Sequence, residues 1–218
     1  LTNIPEQIAK LTVDDKQELT LDPGISGIGR DDQLDIRSIA MRESYLTTFN
    51  WATGTAPEQL LWNCRVQPQL FANSGAFPDT AYHMTALAYA SLPFTYWTGT
   101  LKFRFQVVAS AFHKGRLKVV YDPNRLPATT EYNVSYLEII DVAEKSDFTI
   151  SVSNTQDLTL LKMYTAGVYT ASDVYGENLM GGLSLGNGAL GVYVVNELTV
   201  PNSTANNHVQ VHVFLSPR

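Results

Sequence analysis

A chain of 218 residues that is 44% hydrophobic and only 17% charged holds enough apolar side chain for a sizeable core, which excludes a disordered polymer. Its net charge of −6, from 21 acidic against 15 basic residues, argues against a domain that grips nucleic acid unaided, because phosphate neutralisation is the main source of such affinity. Cys64, the single cysteine, cannot form a disulfide within the chain and fits a reducing compartment, and no apolar run approaches the roughly 20 residues that span a bilayer.

Residues 1–35 read as an extended arm. Three basic residues there (Lys10, Lys16, Arg30) face eight acids, so no basic nucleic-acid-binding arm is present. Asp22-Pro23-Gly24 is a turn signal, and Gly24, Gly27 and Gly29 oppose helix in "PGISGIGR". The piece "IPEQIAKL" sets Ile4, Ile8 and Leu11 on one side of a short helical turn. This arm builds no core of its own and is expected to lie across its own domain or a neighbour. Because the chain starts at Leu1 rather than Met, a trimmed form or a piece cut from a longer precursor is expected.

Residues 36–218 form the second expected unit. "IRSIAMRESYLTTFNW" from Ile36 predicts a first strand and Gln59–Leu70 a second, with Pro68 at an edge or bend. Between Phe77 and Phe94, "FPDTAYHMTALAYASLPF" predicts the one helix, capped by Asp79 or Thr80 and ended by Pro93. Leu101, Phe103, Phe105 and Val107 then alternate with Lys102, Arg104 and Gln106, and Leu117, Val119 and Tyr121 repeat that pattern. Four more strands follow at Ser135–Val142, Ser146–Ser153, Gly188–Leu198 and Asn207–Ser216. Asn154–Asn187 reads as a long Gly-, Ser- and Tyr-rich surface loop, a kind that commonly binds something. Eight strands, one short helix and long loops predict an all-β, antiparallel jelly-roll sandwich of two packed sheets.

Chemistry is sparse along this chain. Six of the 15 basic residues crowd between Lys102 and Arg125, yet Lys102, Arg104 and Lys118 fall on the polar faces of amphipathic strands. "HKGR" reads as the junction between the two sheets, with Gly115 easing a bend. His113, Lys114 and Arg116 there are candidate contacts to RNA or to a neighbouring subunit, and His113 a candidate acid-responsive group. His208 and His212 share a strand face but stand about 13 Å apart at roughly 3.3 Å per residue, too far for one metal ion. No G-x-S-x-G, H-E-x-x-H, P-loop or dinucleotide fingerprint appears, so neither catalytic residues nor a cofactor are assigned. Cys64 reads as a core side chain. Asp31-Asp32 reads either as a solvated turn or as an acid pair sharing a proton.

"LPFTYWTGTLKFRFQVVASAFHKGRLKVVYDPN" resembles the D and E strands of picornavirus-like capsid proteins, whose pattern runs P-F-x-x-W-x-G-x-L, an alternating strand, G-[KR]-[LF] and a closing Tyr-x-Pro. Pro93, Phe94, Trp97, Gly99, Leu101, Gly115, Arg116, Leu117, Tyr121 and Pro123 fill those places. "YLEIIDVAEKSDFTISVS" is similar to the F and G strands and "LGVYVVNELTVPNSTANNHVQVHVFLSP" to the H and I strands, so the likeness runs from residue 36 to 218. "DDQLDIRSIAMRESYLTTFNW" is closest to dicistroviruses and marine algal RNA viruses. The resemblance implies a non-enzymatic subunit of an icosahedral, non-enveloped RNA virion. It implies assembly in the host cytoplasm with two related jelly-roll chains, copies of itself and a small internal peptide around a positive-strand genome. In dicistroviruses an Asp-Asp-Phe motif accompanies the late cleavage. Asp31 and Asp32 occupy its acidic places, with Gln33 where Phe would stand. A lectin-like jelly roll using Tyr169 and Tyr175 is the alternative, and a metal-dependent cupin-type enzyme is disfavoured by the histidine spacing.

Overall fold

Residues in the computed structural model are described over 34–74, 81–123, 126, 136–163, 166–170, 186–201 and 208–218. The period-two runs become the long strands. They are β1 (Ser44–Ala52), β2 (Leu60–Arg65), β6 (Leu101–Val108), β7 (Lys114–Asp122), β8 (Tyr136–Asp141), β9 (Asp147–Val152), β12 (Ala189–Thr199) and β13 (His208–Pro217). Shorter strands are β3 (Leu70–Ser74), β4 (Ala81–Met84), β5 (Tyr96–Trp97), β10 (Leu161–Lys162) and β11 (Ala166–Thr170).

One sheet runs β1-β13-β6-β9 and the other β4-β3-β11-β2-β12-β7-β8, with β10 and β5 as a separate pair. Counting only the eight long strands in chain order, the sheets read 1-8-3-6 and 2-7-4-5. That interleaving is the expected jelly roll. β3, β4 and β11 extend its second sheet, and β11 joins β3 in parallel, the one parallel pairing among the described strands.

The core lies between the sheets. From the first come Phe103, Phe105, Phe148, Val211 and Val213, and from the second Trp62, Cys64, Leu117, Val119 and Val192. Aromatic contacts join the layers: Phe49 stacks on Trp62 with centroids 6.0 Å apart, and Trp62 meets Phe105 edge-on at 5.8 Å. A shift of register between Tyr45 and Thr47 lets both Leu46 and Phe49 turn inward, although three positions separate them.

Three expectations need correction. Ile36 does not begin a strand, because α1 (Ile36–Ala40) is a short helix and β1 starts only at Ser44. The second helix, α2 (Ala86–Ser91), is shorter than expected and is capped by Thr85, whose Oγ1 accepts the Ala88 N–H at 3.1 Å. Residues 81–84, expected as its first turn, pair instead with β3. Tyr82 packs edge-on against Phe71 at 5.2 Å and His83 Nε2 lies 2.8 Å from Ser74 Oγ. A sheet partner distant in sequence overrides local helix preference there. Within the Asn154–Asn187 excursion, β10 and β11 add regular structure to what reads as a plain loop.

Candidate assembly surfaces

The basic junction is where the sequence places it. β6 lies in the four-stranded sheet and β7 in the seven-stranded one, so residues 109–113 carry the chain across the sandwich. His113 Nδ1 accepts the Ser110 N–H at 3.1 Å and lies 2.7 Å from Ser110 Oγ, which closes this turn. Phe112, 70% exposed, projects at its tip. Arg116 donates from Nε to Asp141 Oδ2 at 3.0 Å across the β7–β8 pair. That bond, followed by the Ala143 N–H, holds the Asp141 carboxyl below the usual carboxylate range. Lys114, Arg116, Asp141 and Glu197 line one groove, so acids balance bases there. Gly115 has a firmer reason than a bend. A Cβ there would stand 2.5 Å from Trp51 Cη2 and 2.9 Å from Cζ2, so the missing side chain makes room for the buried indole.

Lys118 overturns the reading of that stretch as purely solvent-facing polar residues. It is fully buried, and its Nζ donates to Glu58 Oε2 at 2.5 Å while lying 5.7 Å from the Tyr193 ring centroid. The cause is a second apolar cluster on the outer face of the seven-stranded sheet, formed by Leu60, Val120, Leu126, Ala189 and Tyr193. β7 is therefore covered on both faces. Glu58 takes a left-handed backbone conformation (φ 65°) in the β1–β2 turn, an uncommon state for a residue with a Cβ. Burial, then the charges of Asp122 and Glu58, push the Tyr193 hydroxyl well above its ordinary pKa.

Lys102 and Arg104 do lie half-buried on the outer face of the four-stranded sheet. Arg104 bridges Glu43 at 2.8 Å and Asp147 at 2.5 Å, with its guanidinium carbon 5.4 Å from the Phe214 centroid. Its hydrogen bonds hold the Asp147 carboxyl below the usual range. On the same face His212 Nδ1 lies 2.6 Å from Thr48 Oγ1, beside the Tyr45 ring. Among the described residues no three His, Cys, Asp or Glu side chains group as metal ligands. Cys64 is fully buried, and burial pushes its thiol pKa up.

The ends of the long excursion are clamped together. Buried Asn187 accepts the Thr155 N–H at 3.0 Å and donates from Nδ2 to Ser153 O at 2.9 Å, while Tyr121 donates from its hydroxyl to Asn187 O at 2.8 Å. Tyr169 lies in β11, and Tyr175 lies outside the described residues, as do Asp31, Asp32 and nearly all of the arm.

One surface was missed in the sequence. α1 and α2 pack together beside β5, yet Ile36, Tyr89, Leu92 and Phe94 are each about half exposed or more. A groove of about 490 Å³ opens between these elements, lined by Ile36, Ala40, Leu87, Phe94, Trp97 and Met163 with Arg37 and Arg218 at its margin. A smaller groove of about 280 Å³ adjoins it at Ile36 and Ala90 and continues over Tyr89 and Leu92. A contiguous apolar surface of this kind marks a contact site. The spacing of Ile36, Ile39 and Ala40, three and four residues apart, is the signal that would have revealed it.

Comparison with known proteins places this architecture. The picornavirus capsid protein family matches residues 46–218. A solved chain from a marine algae virus of the order Picornavirales is 36% identical, with a TM-score of 0.79 over 98% of this chain and 82% of that one. A chain of the Triatoma virus empty capsid shares the fold at a TM-score of 0.73, with 21% identity over 97% of this chain and 82% of that one. In sequence, the structural polyprotein of cricket paralysis virus is 25% identical over 52% of this chain, and the genome polyprotein of deformed wing virus 29% identical over 58%. The aligned stretch spans only 13% and 5% of the length of those two polyproteins.

Proposed function

The chain belongs to the picornavirus capsid protein family, and from that premise we propose that it is one of three large jelly-roll subunits of a non-enveloped icosahedral shell. As a capsid protein its role is structural rather than enzymatic, and the lectin-like alternative is not favoured. It assembles with two related chains and with copies of itself around positive-strand RNA, in the host cytoplasm, with a small internal peptide as a further component. The likeness to the marine algae virus chain over nearly the full length carries this reading. The acidic net charge of −6 and the balanced junction groove fit a shell that holds RNA by enclosure and a few weak contacts.

Residues 1–35 serve as an arm and 36–218 as the shell domain. His113, Lys114 and Arg116, at the sandwich end with exposed Phe112, are contacts to a neighbouring subunit or to the RNA. Asp31 and Asp32 are retained as the cleavage-related pair, and release of the small peptide by an Asp31→Asn, Asp32→Asn chain at the normal rate would remove them from that role.

The test is co-production with the two other large capsid chains of the same virus, followed by electron microscopy and mass spectrometry of the purified product. Icosahedral particles holding all three chains are expected. Particles that form without this chain overturn the reading.

A further inference from the structure

Asn187-Gly188 is the one Asn-Gly pair in the sequence, and it stands where the Asn154–Asn187 excursion re-enters the sandwich at β12. Both residues are buried, Asn187 completely. Each is required in its place. Gly188 holds a φ of +76°, and a Cβ there would overlap Asp122 O and stand 2.7 Å from Pro123 Cα, backbone that cannot yield. Asn187 supplies an acceptor and a donor on one short side chain: Oδ1 accepts the Thr155 N–H at 3.0 Å, and Nδ2 donates to Ser153 O at 2.9 Å. The fold thus joins two residues whose pairing is chemically labile. A glycine after asparagine has no side chain to shield its amide nitrogen from the asparagine side-chain carbonyl carbon.

The clamp governs whether that lability is expressed. Attack requires Asn187 Cγ to turn back onto Gly188 N, but two hydrogen bonds hold the side-chain amide against the Ser153–Thr155 backbone. The flanking backbone is fixed as well. Tyr121 donates from its hydroxyl to Asn187 O at 2.8 Å and meets Thr155 Oγ1 at 2.5 Å, while Gly188 O accepts the Val66 N–H at 3.1 Å.

We propose that Asn187-Gly188 is a deamidation site kept closed by the Tyr121–Thr155–Asn187 clamp, and that its reaction makes opening of the clamp irreversible. Once the side chain is released, Gly188 N gives up its proton to base and bonds to Asn187 Cγ. The Cγ–Nδ2 bond breaks and Nδ2 leaves as ammonia, closing a succinimide ring. Water then opens the ring at either carbonyl, giving aspartate or isoaspartate at position 187, and no other reagent is consumed. The carboxylate accepts but cannot donate, so it faces Ser153 O with no hydrogen between them in a buried place. The isoaspartate form also adds a methylene to the main chain immediately before β12. This chemistry needs no partner chain and stands apart from the capsid reading.

The test incubates the purified full chain in mildly alkaline buffer and follows aspartate and isoaspartate at position 187 by mass-spectrometric peptide mapping. The folded chain should react about tenfold or more slowly than the same chain in concentrated urea. Equal rates would mean that the clamp protects nothing. Tyr121→Phe with Thr155→Ala, which removes two hydroxyls from the clamp and leaves Asn187-Gly188 intact, should speed the folded-state reaction about threefold to tenfold. A rate equal to the parent's, in a folded double variant, overturns the gating role. A second measurement needs no variant: the parent's rate should climb with urea well below the global unfolding midpoint. A rate that stays flat up to that midpoint excludes local opening and overturns the proposal even where the double variant fails to fold. Finally, Asn187→Asp should raise amide exchange at Thr155 relative to β6, and protection equal to the parent's would refute irreversibility.

Discussion

Lys118 Nζ lies 2.5 Å from Glu58 Oε2, and the lysine side chain is wholly buried while the carboxylate side chain remains 34% exposed. The charged lysine belongs to the interior and its counter-charge to the rim of a turn. Removing the rim partner leaves an ammonium group in a poorly hydrated place, whereas removing the lysine leaves a carboxylate that water still reaches.

Glu58→Gln should therefore destabilise the chain by about 1–3 kcal/mol, the cost of weakening a charged hydrogen bond to a buried group. Lys118→Met, of similar length and apolar, should fall within about 1 kcal/mol of the parent. Urea unfolding of the two variants checks this asymmetry. Equal costs would show that the pair acts as an ordinary exposed bridge.

Gly115→Ala should cost about 1–3 kcal/mol by overpacking against the Trp51 indole. Trp51→Phe removes the ring carbons that meet this Cβ, so the double variant should be more stable than the sum of the two single effects predicts. A double-mutant cycle in denaturant measures the coupling, and strict additivity would mean that the glycine serves only the backbone.

Asn187→Ala should cost about 1–3 kcal/mol, because the Thr155 N–H and the Ser153 carbonyl both lose a partner at a half-buried site. Loss of the clamp should also raise amide exchange at Thr155 more than in β6 or β13. Uniform protection across the chain would contradict a local role.

The Asp147 carboxyl is depressed by the Arg104 hydrogen bond, so its contribution is present above the unfolded value of about 3.8. It is lost as pH falls through the lower folded value. Asp147→Asn should leave stability near pH 7 little changed, since the pair is partly exposed, and should flatten the fall of stability below about pH 4. Urea midpoints taken between pH 2 and 7 read this directly. An unchanged acid slope would mean that Asp147 does not contribute to it.

Particular residues show how far reading the chain could go. Leu101, Phe103, Phe105 and Val107 declare their strand and its inward face because a strand's period of two is local. The passage of "SAFHKGR" between sheets was equally legible, since two alternating runs flank a short connection. Residues 81–84 were not, because their strand exists only through β3, and no local preference encodes a partner. The half-exposed faces of α1 and α2 stayed hidden for a related reason: short helices leave too few turns for their period to stand out.

By itself, then, the sequence determined the all-β sandwich, its main strands and the family likeness, all of which follow from alternation and from a motif contiguous along the chain. Only the tertiary structure decided that Lys118 is interior, that Gly115 yields space to Trp51 and that an apolar groove opens beside α1. Each of these depends on what a distant segment lays over a given face, and burial by a third layer leaves no mark in the period of the strand beneath it.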